Sequence, residues 1–152
     1  TTLGTNSSAS ENFAQRNYSL ETFELNPKIS YLFDDNTRLE AFYSLGTKEN
    51  SLGAFEYLNK QDFGLAFSYS NAEKISFNIE AQYIKNEFEG AAFSPVAYQM
   101  LEGLQPGSNF TWNIIAQKRL TKFLDLNLSY FGRKSEDSRT IHTGTVQLRA
   151  LF

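Results

Sequence analysis

The chain has 152 residues, a net charge of −3 and a pI near 5.2; that is enough for one domain with a core, and it leaves no basic surface for nucleic acid. It has no cysteine, which excludes a disulfide framework and a thiolate metal site. Aromatic residues make up 15% of it, yet mean hydropathy is −0.42 and no apolar run exceeds three residues; that excludes a transmembrane helix, which needs about 20 apolar residues in a row, but not a transmembrane β-barrel.

Residues 1–16, "TTLGTNSSASENFAQR", show no alternation and read as a polar external loop or tail. No initiator Met or signal peptide stands at Thr1, so the expectation is a processed chain or a piece of a longer one. From residue 17 to 152 a two-residue period recurs, which is the mark of half-buried strands. In the first segment Phe23, Leu25, Pro27, Ile29, Tyr31 and Phe33 share one face, and Glu24, Asn26, Lys28 and Ser30 the other. Tyr18 and Leu20 lie on the opposite parity, which predicts a bulge near Glu21–Thr22. Pro27 has no N–H for the ladder, so pairing is expected to weaken there.

The second segment sets Leu39, Ala41, Tyr43 and Leu45 against Arg38, Glu40 and Ser44. The third sets Phe63, Leu65, Phe67 and Tyr69 against Asp62, Gly64, Ala66, Ser68 and Ser70, and the fourth Ile75, Phe77, Ile79, Ala81 and Tyr83 against Ser76, Asn78, Glu80 and Gln82. The fifth sets Phe110, Trp112, Ile114 and Ala116 against Thr111, Asn113, Gln117 and Arg119. The sixth sets Leu124, Leu126, Leu128 and Tyr130 against Asp125, Asn127, Ser129 and Arg133. The last sets Val146, Leu148, Ala150 and Phe152 against Thr143, Thr145, Gln147 and Arg149. Phe42, Ile84, Ile115, Phe131 and Leu151 are apolar exceptions on the polar face. One short helix fits "PVAYQMLEGL", capped by Ser94 with Pro95 in its first turn.

Short and long connections take turns. "DDNT", "NAEK" and "TK" are brief; "TKENSLGAFEY", the stretch around "SPVAYQMLEGLQPGSN", and "KSEDSR" are longer. The apolar faces carry rings toward the strand ends. These features match the short periplasmic turns, longer external loops and aromatic girdles of an outer-membrane barrel. A soluble sandwich with the same alternation would point its apolar face inward instead.

The final stretch "TGTVQLRALF" resembles the C-terminal strand signal of bacterial outer-membrane proteins, carried by Val146, Leu148, Ala150 and Phe152. Gln147 stands where a glycine is usual, and Val146 where a polar residue is usual. The segments "FSPVAYQMLEGLQPGSNFTWN" and "GRKSEDSRTIHTGTVQLRALF" are also similar to the C-terminal ends of large outer-membrane barrels of the Bacteroidota type. The resemblance implies a Gram-negative outer-membrane location, with the barrel assembly machinery and outer-membrane lipid as partners. If the last strand ends in the periplasm, every short turn falls on the periplasmic side.

The expected fold is therefore all-β, an antiparallel up-and-down transmembrane β-barrel segment of about seven strands. Seven is odd, whereas single-chain bacterial barrels have an even number. The missing strands would come from a larger barrel of the same chain, from another subunit, or from a poorly patterned eighth strand within the first sixteen residues. The polar face supplies the lumen-facing candidates Glu24, Lys28, Arg38, Glu40, Asp62, Glu80, Arg119, Asp125, Arg133 and Arg149.

Little here points to catalysis. Outer-membrane phospholipases carry a Ser/His pair on the barrel's outside, and Ser138 lies near the single histidine, His142; no motif around either matches. "DDNT" and "KSEDSR" lack the spacing of a calcium loop. Asn6, Asn109 and Asn127 head glycosylation-like triplets, two of them inside expected strands. The chain is expected not to be an enzyme and to hold no metal or cofactor. Two functions stay open: the wall of a transport or secretion conduit, or a structural or assembly component of an outer-membrane complex.

Overall fold

In the computed structural model, residues 2–6, 18–51, 55–71, 74–91 and 93–150 are described. They form nine antiparallel strands and one short helix. The strands are β1 (Thr2–Asn6), β2 (Tyr18–Leu25), β3 (Lys28–Asp34), β4 (Thr37–Asn50), β5 (Tyr57–Asn71), β6 (Ile75–Glu89), β7 (Gly107–Thr121), β8 (Leu124–Ser135) and β9 (Ile141–Ala150). The helix α1 (Pro95–Met100) lies between β6 and β7. Hydrogen-bonded neighbours follow the order β1-β2-β4-β5-β6-β7-β8-β9, with β3 also paired to β4. The fold class is all-β and up-and-down, as expected, and no helix among the described residues is long and apolar enough to cross a membrane.

The strand count is corrected in two ways. First, the opening segment is two strands, broken at Asn26–Pro27, where the missing proline donor interrupts the ladder. The register holds across the break: Leu25 faces Leu45 and Lys28 faces Phe42. The proline still takes part as an acceptor, because the Tyr43 N–H donates to its carbonyl at 3.0 Å. Second, residues 1–16 are not all loop. Thr2–Asn6 pair with Tyr18–Thr22 as β1. With β2 and β3 taken as one interrupted strand, the ladder has eight places, so the eighth strand comes from the poorly patterned N-terminal stretch.

The bulge expected near Glu21–Thr22 is absent. Leu20 through Leu25 pair with Asn50 through Leu45 without a slip; the irregularity lies instead between Leu32 and Asp34. Leu20 is therefore an apolar residue on the polar face, and the reason for it appears in the next subsection. β4 also outruns its apolar pattern. It continues to Asn50, which shortens the following connection. The Asn50 N–H closes that connection on the Glu56 carbonyl at 2.9 Å.

Burial along the strands is inverted relative to a soluble sheet. Tyr43 and Leu45 are 38% and 37% exposed, while Ser44 between them is 7% exposed. Phe63 and Leu65 are exposed, while Asp62 is buried. The positions expected to meet lipid follow suit: Phe23, Leu25, Leu65 and Leu148 are exposed, and Phe67, Phe77, Ile79, Ile114 and Leu126 are half-buried.

The residues fall into two compact units. Unit 1 comprises residues 1–27, 43–62 and 84–109, and unit 2 comprises residues 28–42, 63–83 and 110–152. Within unit 2 the turns before β4 and β6 are tied to neighbouring strands, Ser70 N–H to the Asn36 carbonyl at 2.8 Å and Arg119 N–H to the Lys74 carbonyl at 3.1 Å. On its apolar face Trp112 lies flat against Gly132, where an added Cβ would meet the indole at 2.0 Å. Overpacking of this kind costs about 1–3 kcal/mol. Gly132→Ala should lower stability by about that much, and in a Trp112→Ala background the same change should cost far less. Urea unfolding of the unaltered protein and the three variants in detergent micelles checks both.

Candidate functional site

In unit 2 the polar face carries the expected charge ladder. Glu40 accepts from Lys28 Nζ at 2.6 Å and from Arg38 Nη2 at 2.9 Å, and Arg38 also donates to Ser30 Oγ at 3.0 Å. Arg119 Nε lies 3.5 Å from Asp125 Oδ1, and Asp125 is the register partner of Arg149. Glu80 accepts from Gln82, and Arg133 is half-buried opposite Ile141. Beside the Arg119–Asp125 pair is a cavity of about 260 Å³, lined by Ser70, Lys74, Ser76, Gln117 and Asn127 among others. It is polar space on the same face. In unit 1, Glu24 accepts from Ser44 Oγ at 3.1 Å, and Asp62 is buried.

A second arrangement in unit 1 escaped the sequence reading. Ser94 caps α1 by accepting from the Ala97 N–H at 3.0 Å, and Pro95 occupies the first turn, where its missing donor costs nothing. The helix ends after six residues. So short a helix has no stability of its own in water; burial of one side holds it. Val96, Ala97, Met100 and Leu101 form one buried cluster with Leu20 of β2 and Leu58 of β5, joined by Phe88 of β6. Leu20, Leu58 and Phe88 share the polar-face parity of Ser44 and Asp62. They are apolar because α1 covers them there.

Charged groups surround this dry contact. Lys48 of β4 donates to the Met100 carbonyl at 3.0 Å and to Glu102 Oε1 at 2.5 Å. Lys60 of β5 donates to Glu102 Oε2 at 3.0 Å. One carboxylate is thus gripped by lysines from two neighbouring strands. Past the helix, Asn109 accepts from the Gln105 N–H and donates to the Gln105 and Gly107 carbonyls, while Asn86 also donates to Gln105. The helix expected inside a free external loop is therefore docked on the polar face. A signal existed in the sequence: Leu20, Leu58 and Phe88 break the alternation near two same-face lysines.

Burial pushes the Glu102 carboxyl up, but hydrogen bonds and charge from Lys48 and Lys60 outweigh it, so the group sits below the usual carboxylate range.

His142 lies on the apolar face of unit 2. Its Nδ1 is 2.7 Å from the Tyr130 hydroxyl, and its ring is stacked on Tyr130 and tilted against Trp112. Among the described residues no serine hydroxyl bonds to it; the Ser138 N–H donates to the Ser135 carbonyl. Of the C-terminal signal residues, Val146 and Leu148 are exposed on β9 opposite Leu128 and Leu126, and Ala150 faces Leu124. Phe152 lies outside the described residues.

No protein-family model and no curated protein matches the chain. Among solved structures it is similar to the outer membrane enzyme PagL, with 12% identity and a TM-score of 0.38, over 90% of this chain and 92% of that one. The expectation that the chain is not an enzyme is corrected by this match, which is with an enzyme.

The lowered Glu102 pKa gives a pH dependence. A carboxyl depressed on folding contributes stability above its unfolded pKa, and that stability is lost as pH falls through the folded one. Amide exchange at Ala97–Leu101, corrected for its intrinsic pH dependence, should be fully protected at neutral pH. Protection should drop only once pH passes below the ordinary carboxylate range. Glu102→Gln should abolish this pH-dependent step.

Proposed function

We propose that this chain is the wall of a bacterial outer-membrane β-barrel that encloses a polar path for transport or secretion. The inverted burial carries the reading: exposed rings and aliphatics such as Phe63 and Leu65 flank the buried Asp62 and Ser44. In water that arrangement would forfeit the hydrophobic effect; in lipid it gains it. The apolar band has the right length. On β6 it runs from Ile75 to Tyr83, nine residues, against about 9–11 for a tilted spanning strand. Beyond the band, the outward positions of unit 1 turn polar: Glu21, Thr47, Glu49, Asn59, Gln61, Lys85 and Glu87. Those strand ends belong in water.

A conduit is favoured over a purely structural wall by the two-sign charge ladder and the polar cavity beside Arg119 and Asp125. The lumen-facing set is the ten charged residues named from the sequence. We place further strands against β3 and β9, from the same polypeptide or another subunit. Every residue of both strands is exposed, on both faces, and unpaired edge groups cost several kcal/mol each in hydrocarbon. An interior closed by eight strands is just wide enough for side chains or one small ligand, whereas the polar face here carries α1 as well. The barrel assembly machinery would read Val146, Leu148, Ala150 and Phe152, and the Bacteroidota-type resemblance of the C-terminal segments fits the same placement.

Leu128→Arg, on the apolar face, should destabilise the protein in vesicles by about 2–4 kcal/mol, and Asn127→Arg on the polar face by much less. Urea unfolding in phosphatidylcholine vesicles measures the difference. Equal costs on the two faces would overturn the membrane reading. Removing Phe152 should deplete the protein from the outer membrane, as read by heat-modifiable mobility in isolated membranes.

A further inference from the structure

The polar face of unit 1 is apolar where α1 sits and at Ile84. The exception under α1 is built from three strands, by Leu20, Leu58 and Phe88, and it lies beside an ion cluster that a wall has no need of. Two features mark the segment as one that can leave. The first is strain. Glu102 holds φ at +56°, a left-handed backbone that favours glycine, and it does so at the position where Lys48 and Lys60 converge. The second is the chain on either side. Gly90 before the helix and Gly103 and Gly107 after it all have positive φ, at +137°, +76° and +88°. Glycines at both ends let the segment swing on its connections without a Cβ penalty.

We propose that residues 94–106 form a plug on the polar face of unit 1, held shut by the Glu102 carboxylate between Lys48 and Lys60, so that passage along that face requires this latch to release. The proposal rests on the conduit reading above. The charged and titratable side chains that meet Glu102 are Lys48 on β4 and Lys60 on β5. The Glu102 side chain is 52% open to water, while those of Lys48 and Lys60 are 16% and 17% exposed. Water and salt therefore reach the latch, which suits a contact that must break and re-form. The apolar contact of Met100, Val96 and Ala97 with Leu58 sets the resting position, and the latch fixes the register of the segment's end.

The test uses the protein purified from outer membranes together with the strands that close β3 and β9, in planar bilayers of phosphatidylcholine and phosphatidylglycerol, with amide exchange at Ala97–Leu101 as a second readout. Glu102→Gln, and separately the double change Lys48→Met with Lys60→Met, should raise exchange at those amides and raise open probability about tenfold over the unaltered protein. Charge reversal at all three positions, Glu102→Lys with Lys48→Glu and Lys60→Glu, should restore the closed state. If the unaltered protein conducts as freely as the variants, the plug is wrong and the conduit stands. If exchange is unchanged in the variants, the latch is wrong. If exchange rises while no variant conducts, the conduit reading fails, and the plug falls with it.

Discussion

Successive side chains of a β-strand point to opposite faces, so one pairing register decides the surroundings of every residue in the sheet. In this chain the register puts Asp125 opposite Arg149 and Leu126 opposite Leu148, and on β8 and β9 the two sets meet only where Phe131 faces Thr143 and Arg133 faces Ile141. Everything else depends on this separation. Apolar side chains collect on a face that no described residue covers, and charges collect on the other, where they find each other. A one-residue slip would put Lys28, Arg38 and Glu40 among Ile29, Tyr31 and Leu39 and strand their charges. The ladder tolerates a proline at position 27 for the same reason. The flanking pairs hold the register on both sides, and the Pro27 carbonyl still accepts from Tyr43.

Against that background the exceptions are informative. Phe42 and Ile84 are apolar on the polar face, and each has a local reason. The Phe42 ring occupies the space over Gly64, where a Cβ would collide with it at 2.0 Å. Ile84 is buried, 4% exposed. Leu20 and Leu58 are covered by α1. The polar face thus holds buried apolar side chains at Leu20, Leu58 and Ile84, while Leu32, Phe131 and Ile141 on the same parity stay exposed. Glu102 joins the two regimes, because its carboxylate ends a buried apolar contact and meets the lysines of the polar face.

The fold class, the strand positions and the short turns were legible in the sequence because they follow from a local two-residue period and from turn chemistry. The cap at Ser94 and the proline at position 95 made α1 legible too. β1 was not, because Thr2–Asn6 carry no alternation and are strand only by virtue of their partner β2. The parity change at Leu20 was visible but has two local explanations, a bulge or a partner on the other face. Only the register could choose between them.

The sequence by itself therefore determined which residues lie on the same side of each strand, and with that the ten charges of the polar face. Tertiary structure alone decided where α1 docks, that Lys48 and Lys60 converge on Glu102 from strands outside its own loop, and that Pro27 breaks a strand without shifting it. The physical reason is distance along the chain. Alternation is written between neighbours, whereas Lys48 and Glu102 are separated by 54 residues and meet only after β4, β5 and β6 have paired.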